Sequence, residues 1–124
     1  MSLGSYWENL AAYARAVRTG RHVWASGTSA ADERSQPVAI GNAYEQTHYI
    51  LHEIERALQE GGAMRHDAVR TRIYLINEAD WQAVAGAGAE FLGEVHPVDT
   101  LLVVASVIGA AYLAEIEAET YLSA

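Results

Sequence analysis

Between Leu113 and Tyr121 the chain alternates strictly, with Ala114, Ile116 and Ala118 on one parity and Glu115, Glu117 and Glu119 on the other. A period of two defines a strand with one packed face and one open face. Helices can cover only one side of a sheet built from such a strand, and the other side must be solvated or packed on another subunit.

The rest of the chain supplies partners for that strand. Tyr13 to Arg18 and His22 to Ser26 read as a hairpin around Thr19, Gly20 and Arg21, with Gly20 free to take the positive φ of a tight turn. Small and polar residues from Gly27 to Gly41 predict a loop, with a short strand at Val38 to Ile40. Ala43, Thr47, Ile50, Leu51, Ile54 and Leu58 then share one face at helical spacing, with Asn42 as N-cap and Gly61-Gly62 as the stop. Val69 to Leu75 alternates again, placing Val69, Thr71, Ile73 and Leu75 inward and Arg70, Arg72 and Tyr74 outward. A second helix is expected after Asn77, with Trp81, Val84, Gly88, Phe91, Leu92 and Val95 on one face and Pro97 at its end.

Thr100 to Val104 reads as an apolar strand and Gly109 to Tyr112 as a turn before the last strand. The order is ββ(β)αβαββ, which predicts one α+β domain over residues 1–124, a mixed sheet with two helices on one face. Met1, Ser2 and Leu3 fit residues left by cloning. The open face is expected to carry Arg70, Arg72, Tyr74 and the three glutamates, together with Leu101 and Val103, which share their parity with Asp99. That apolar content predicts packing against another copy.

Composition narrows the chemistry. The 124 residues are 51% hydrophobic and 19% charged, enough apolar material for a core and too little charge for a disordered chain. All eight basic residues are arginine, so a lysine Schiff base is excluded, and the absence of cysteine removes thiolate nucleophiles and sulfur-bound metals. A net charge of −8 opposes binding to nucleic acid, which needs a basic face. No basic leader or apolar run of membrane-spanning length is present, so a cytoplasmic protein with no membrane partner is expected. His48 and His52 have the four-residue spacing of a metal pair but no adjoining glutamate, and they read as helix-surface residues. No metal and no cofactor are expected.

Two features remain for a site. Ser26-Gly27 ends the second strand without the Gly-x-Ser-x-Gly pattern of a serine hydrolase, and a glycine there lets a ligand or another backbone approach closely. The three glutamates on one strand face suit, first of all, cross-strand pairing with Arg70 and Arg72. Glu115 lies nearest the Gly109 turn, where a cleft mouth is expected, and a carboxylate in a cleft can hold or activate a water.

Five motifs taken together resemble one family. They are Tyr13-x-Arg15-Ala16-Val17, Ala25-Ser26-Gly27-Thr28, Val69-x-Thr71-x-Ile73-Tyr74-Leu75, Glu90-Phe91-Leu92-Gly93-Glu94 and Leu113-Ala114-Glu115-Ile116-Glu117-Ala118. In this order and spacing they resemble the Rid family, also called the YjgF or endoribonuclease L-PSP family of reactive intermediate deaminases. The resemblance implies a chorismate-mutase-like protomer, a homotrimer and a small-molecule cleft between subunits. It assigns Glu115 to directing water onto an imine carbon, and Tyr13, Ser26 and Gly27 to the cleft wall. Asp99, Thr100 and Arg72 are further expected substrate contacts.

Where deaminating members carry a carboxylate-binding arginine, the chain reads Pro97-Val98-Asp99-Thr100. Asp99 would repel the anion that an arginine grips with two parallel hydrogen bonds. The expected function is therefore hydrolysis of a neutral or cationic imine or enamine, with weak activity on the usual 2-imino acids unless Arg70 or Arg72 replaces the clamp. The alternative is a non-catalytic trimer that binds a small metabolite. A ribonuclease reading is opposed by the net charge and the lack of lysine.

Overall fold

A computed structural model of the chain describes residues 14–123. Five strands, β1 (Ala16–Thr19), β2 (His22–Thr28), β3 (Ala68–Leu75), β4 (Val98–Val103) and β5 (Ala114–Tyr121), form one sheet in the order β1-β2-β5-β3-β4. All neighbours are antiparallel except β3 and β4, which run parallel. A parallel pair needs a crossover, and helix α2 (Trp81–Leu92) provides it. Helix α1 (Ala43–Glu60) packs beside α2 and against β2 and β5. The architecture is the expected α+β one, with both helices on one sheet face.

The local signals explain most of the elements. Gly20 has φ +61 in the turn between β1 and β2. The Asn42 side chain accepts from the Glu45 N–H at 3.0 Å and caps α1, whose buried face holds Ala43, Thr47, Ile50, Leu51, Ile54 and Leu58. The central strand β5 buries Ala114, Ile116, Ala118 and Thr120 under the helices. Each fully buried leucine or isoleucine contributes roughly 1.5–3 kcal/mol.

Four expectations are corrected. No strand forms at Val38 to Ile40; a single bridge between Ala31 and Pro37 closes that loop. Val69 is exposed because β3 shifts register against β5 between Ala68 and Arg70, which takes it out of the Thr71, Ile73, Leu75 row. Helix α2 ends at Leu92, with Gly93 at φ +56, before Pro97 is reached; Trp81 is exposed and the buried stripe is Val84, Ala87 and Phe91. Leu101 and Val103 pair with Ile73 and Leu75 and so share the helix side. The open face of β4 instead carries Val98, Thr100 and Leu102, beside Arg70, Arg72 and Tyr74.

Candidate functional site

The site begins at an irregularity in β2. Ala25 pairs with Ala118, but the next pairing is Thr28 with Ile116, so Ser26 and Gly27 bulge out of the ladder. Bulges of this kind re-aim side chains and often flank active sites. The bulge faces the start of β5, where the parity that buries Ala114 and Ile116 turns Glu115 to the open side. Gly27 and Glu115 then touch: a Cβ on Gly27 would stand 2.5 Å from Glu115 Oε2. Ser29 Oγ donates to Glu115 Oε1 at 3.2 Å and fixes the carboxylate from its other oxygen.

Around this contact lies a cavity of about 330 Å³, lined by Arg15, Ser26, Gly27, Ser29, Ile108, Tyr112 and other residues with Glu115. That volume suits a small metabolite. Tyr112 is buried, and burial raises its hydroxyl pKa above the ordinary value, with a smaller push from Asp32. Gly109, at φ +122, makes room for the Tyr112 ring, since a Cβ there would collide with it.

Arg15 enters the cavity just ahead of β1. Its backbone carbonyl accepts from Ser26 N at 3.0 Å and from Ser26 Oγ at 3.2 Å. Its guanidinium Nη1 donates to the Gly27 carbonyl at 3.1 Å and lies 3.5 Å from Thr28 Oγ1. Its Nε–H is buried without an acceptor among the described residues. Neither Arg15 nor Glu115 belongs to an ion pair among those residues.

Of the residues expected at a site, the fold brings Ser26, Gly27 and Glu115 together. Tyr13 lies outside the described residues. Arg72 is on the open face further along the sheet, where Nη1 donates to Glu117 Oε1 at 3.3 Å and Glu119 Oε1 at 3.1 Å. Tyr74 donates to the same Glu117 oxygen, a bond that raises the tyrosine pKa. These residues form part of the expected cross-strand cluster; Arg70 belongs to no ion pair among the described residues, and Glu115 is held by Ser29 instead. Thr100 pairs with Arg72 across β3 and β4. Asp99 pairs with Thr71 on the helix side, and its Oδ1 accepts from Thr71 Oγ1 at 2.8 Å. Within one chain Asp99 does not line the Glu115 cavity.

Arg15, Ser29, Ile108 and Tyr112 were not expected at the site. The signal for Arg15 is parity: Ala16 is buried, so its neighbour must point to the face that carries Glu115. His48 also differs from a freely solvated residue, since its Nε2 lies 2.9 Å from Glu90 Oε2 and its ring packs between Tyr44 and His52. Among the described residues no three potential ligands gather around a metal position, and no helix is long and apolar enough to cross a membrane.

A mixed sheet covered by helices on one side, with a carboxylate held at a bulge beside a cavity, defines the class as an α+β protein with a candidate site on one edge of the sheet. Comparison with known proteins gives the family. The family model described as Endoribonuclease L-PSP matches residues 5–121, and the chain belongs to that family, the one its five motifs resemble. It is 36% identical over 121 residues to an uncharacterised protein of Streptomyces coelicolor, covering 98% of this chain and 90% of that protein. It is 32% identical over 88 residues to the 3-aminoacrylate deaminase RutC of Acinetobacter baylyi, covering 71% of this chain and 70% of the relative. The crystal structure of a YjgF/YER057c/UK114 family member from Mycobacterium tuberculosis superposes with a TM-score of 0.89 at 35% identity, covering 98% of this chain and 97% of that one.

Proposed function

We propose that the chain hydrolyses a small imine or enamine, with Glu115 directing the attacking water. The observation that carries this reading is the Glu115 carboxylate itself, held by Ser29 against the side-chain-free surface of Gly27 at the edge of a cavity. A related protein named as a 3-aminoacrylate deaminase supports it.

The chemistry follows from that placement. Water hydrogen-bonded to Glu115 gives a proton to the carboxylate as its oxygen bonds to the imine carbon, and the C=N electron pair moves to nitrogen. The carboxyl returns the proton to nitrogen, giving a carbinolamine; the carboxylate then takes the hydroxyl proton and passes it to the nitrogen, so that the carbon–nitrogen bond breaks, ammonia leaves and the carbon–oxygen double bond forms. One imine and one water become one carbonyl compound and one ammonia. No metal or cofactor is needed for this sequence.

The working unit in this reading is a homotrimer joined through the open sheet face. Support comes from the exposed Trp24, Val98 and Leu102 on that face, more apolar surface than a solvated sheet needs. The contacts of Tyr13, Asp99, Thr100 and Arg72 with substrate belong to the assembled cleft rather than to the cavity of one chain. The small, acidic domain would work in the cytoplasm.

The test is ammonia release from imines freshly generated by an amino-acid oxidase, compared between the wild type and Glu115→Gln. The wild type should accelerate release over the uncatalysed reaction, and Glu115→Gln should lose roughly 10²–10⁴-fold. If the wild type accelerates no imine while Glu115→Ala keeps ligand-induced thermal stabilisation, the protein is a metabolite-binding trimer instead.

A further inference from the structure

The cavity beside Glu115 has two kinds of wall. Arg15, Ser26, Ser29 and Glu115 supply its polar side chains, and these are joined around Gly27: Ser26 donates to the Arg15 carbonyl, Arg15 to the Gly27 carbonyl and Ser29 to Glu115. The rest of the lining is Ala31, Ile108 and Tyr112, which carry no charge. A ligand that fills the cavity therefore meets polar groups on one part of its surface and apolar ones on another.

Ile108 and Tyr112 belong to the loop between β4 and β5, and the fold holds that loop from inside. The buried Gln46 side chain donates to the Ala111 carbonyl and accepts from Leu113 N, one residue to either side of Tyr112. Gly109 has no side chain to strike the Tyr112 ring, where any Cβ would overlap it. Tyr112 is buried, and that burial keeps its hydroxyl protonated by raising its pKa, with Asp32 adding to the effect. The wall is thus uncharged at neutral pH.

Ile108, in the same wall, is 72% exposed. A lone exposed isoleucine is ordinary, but this one lines a cavity together with a buried aromatic ring. An apolar group seated there takes Ile108 out of water, whereas a charged group loses its hydration against it and finds no partner.

We infer that Ile108 and Tyr112 select the substrate by its side group, so that the molecule hydrolysed carries a branched aliphatic or aromatic group beside the carbon that faces Glu115. This rests on the deaminase reading for the carbon at Glu115, but the apolar preference stands or falls separately. A methyl group is too small to cover Ile108, and a charged one is desolvated there.

The experiment uses two uncharged amides, acetamide and isovaleramide, which both present a planar nitrogen-bearing carbon and differ by three apolar carbons. They are titrated into isotope-labelled protein, and the backbone N–H signals are followed. Isovaleramide should bind at least about tenfold more tightly, as expected when three further carbons leave water, and the signals it moves should include Ile108 and Tyr112. Ile108→Ser, a change at an exposed position, should cut that preference at least about threefold, and Ile108→Val should keep most of it. Among freshly generated imines, kcat/KM for the one from leucine should exceed that for the one from alanine by at least about tenfold, and Ile108→Ser should narrow the gap.

Equal affinity for the two amides, no binding of isovaleramide, or shifts confined to residues away from the cavity would each overturn the assignment. So would an Ile108→Ser protein that keeps the full preference. Selective isovaleramide binding at the cavity with no ammonia release from any imine sinks the deaminase reading alone. Turnover that is lost in Glu115→Gln but equal for the two imines sinks the present inference alone.

Discussion

Gly27 and Glu115 pack so closely that any side chain at position 27 would meet the carboxylate: a Cβ there stands 2.5 Å from Glu115 Oε2. No such approach is tolerated between real atoms, and the glutamate is a flexible side chain that would yield by rotating away. Gly27→Ala should therefore disable the site at little cost in stability. Ammonia release should fall at least tenfold, about 1.4 kcal/mol in transition-state stabilisation, while the melting temperature changes by only a few degrees. A crystal structure of the variant in which Glu115 still meets Ser29 would contradict this account.

Gln46 is completely buried and joins helix α1 to both loops that bound the site. Its Nε2 donates to the carbonyls of Val38 at 3.3 Å and Ala111 at 2.9 Å, and its Oε1 accepts from Leu113 N at 2.9 Å. Gln46→Leu keeps the apolar contacts and strands those backbone groups. The expected cost is at least about 3 kcal/mol, since three buried groups lose a partner at about 1–3 kcal/mol each. Thermal unfolding would measure it, and amide exchange at Leu113 should quicken more than at Ile50.

Arg65 reaches Glu55 with Nε and Nη2, adds its backbone N–H, and stacks its guanidinium 3.8 Å from the centre of the Phe91 ring. Hydrogen bonding from the Arg65 side chain holds the Glu55 carboxyl below the ordinary 4.5 against the opposing pull of burial, with a smaller lowering from the Arg65 backbone N–H. The unfolded chain thus takes up the proton at higher pH than the folded one. The stabilisation is complete above the unfolded value and is lost as pH falls through the lower folded value. Wild-type melting temperature should drop more steeply than that of Glu55→Gln on acidification from about pH 6 to pH 3. Parallel curves would show that the pair contributes nothing.

Leu102 is 49% exposed on the open sheet face, in register with Tyr74. If that face joins three copies, Leu102→Glu buries an unpaired charge in each interface, which is strongly unfavourable. Sedimentation should then show the wild type at three times the mass of the chain and the variant at once that mass. A wild type that sediments as a single chain would remove the trimer from the proposal.

The parts legible in the sequence were those with a local period. The alternation from Leu113 to Tyr121 determined which residues of the central strand face the helices, and so separated Glu115 from Ile116. The stripe from Ala43 to Leu58 and the cap at Asn42 determined α1 almost to the residue. These features follow from the geometry of a single strand or helix, which repeats every two or every 3.6 residues whatever the rest of the chain does. Parity near a register shift was less secure, as Val69 shows, and the side of β4 was read wrongly because a short apolar strand has no strong alternation of its own.

What only the tertiary structure decided is which of those residues meet. The bulge at Ser26-Gly27 exists only relative to the pairing with β5, and it is what brings Gly27 against Glu115. The register of β3 with β5 gives Arg72 to Glu117 and Glu119, and the register of β3 with β4 gives Asp99 to Thr71. Arg15 lines one cavity with Glu115, a hundred residues on, because β2 lies between β1 and β5 in the sheet. Strand order and register are set by the simultaneous packing of the whole core, which no window of sequence contains.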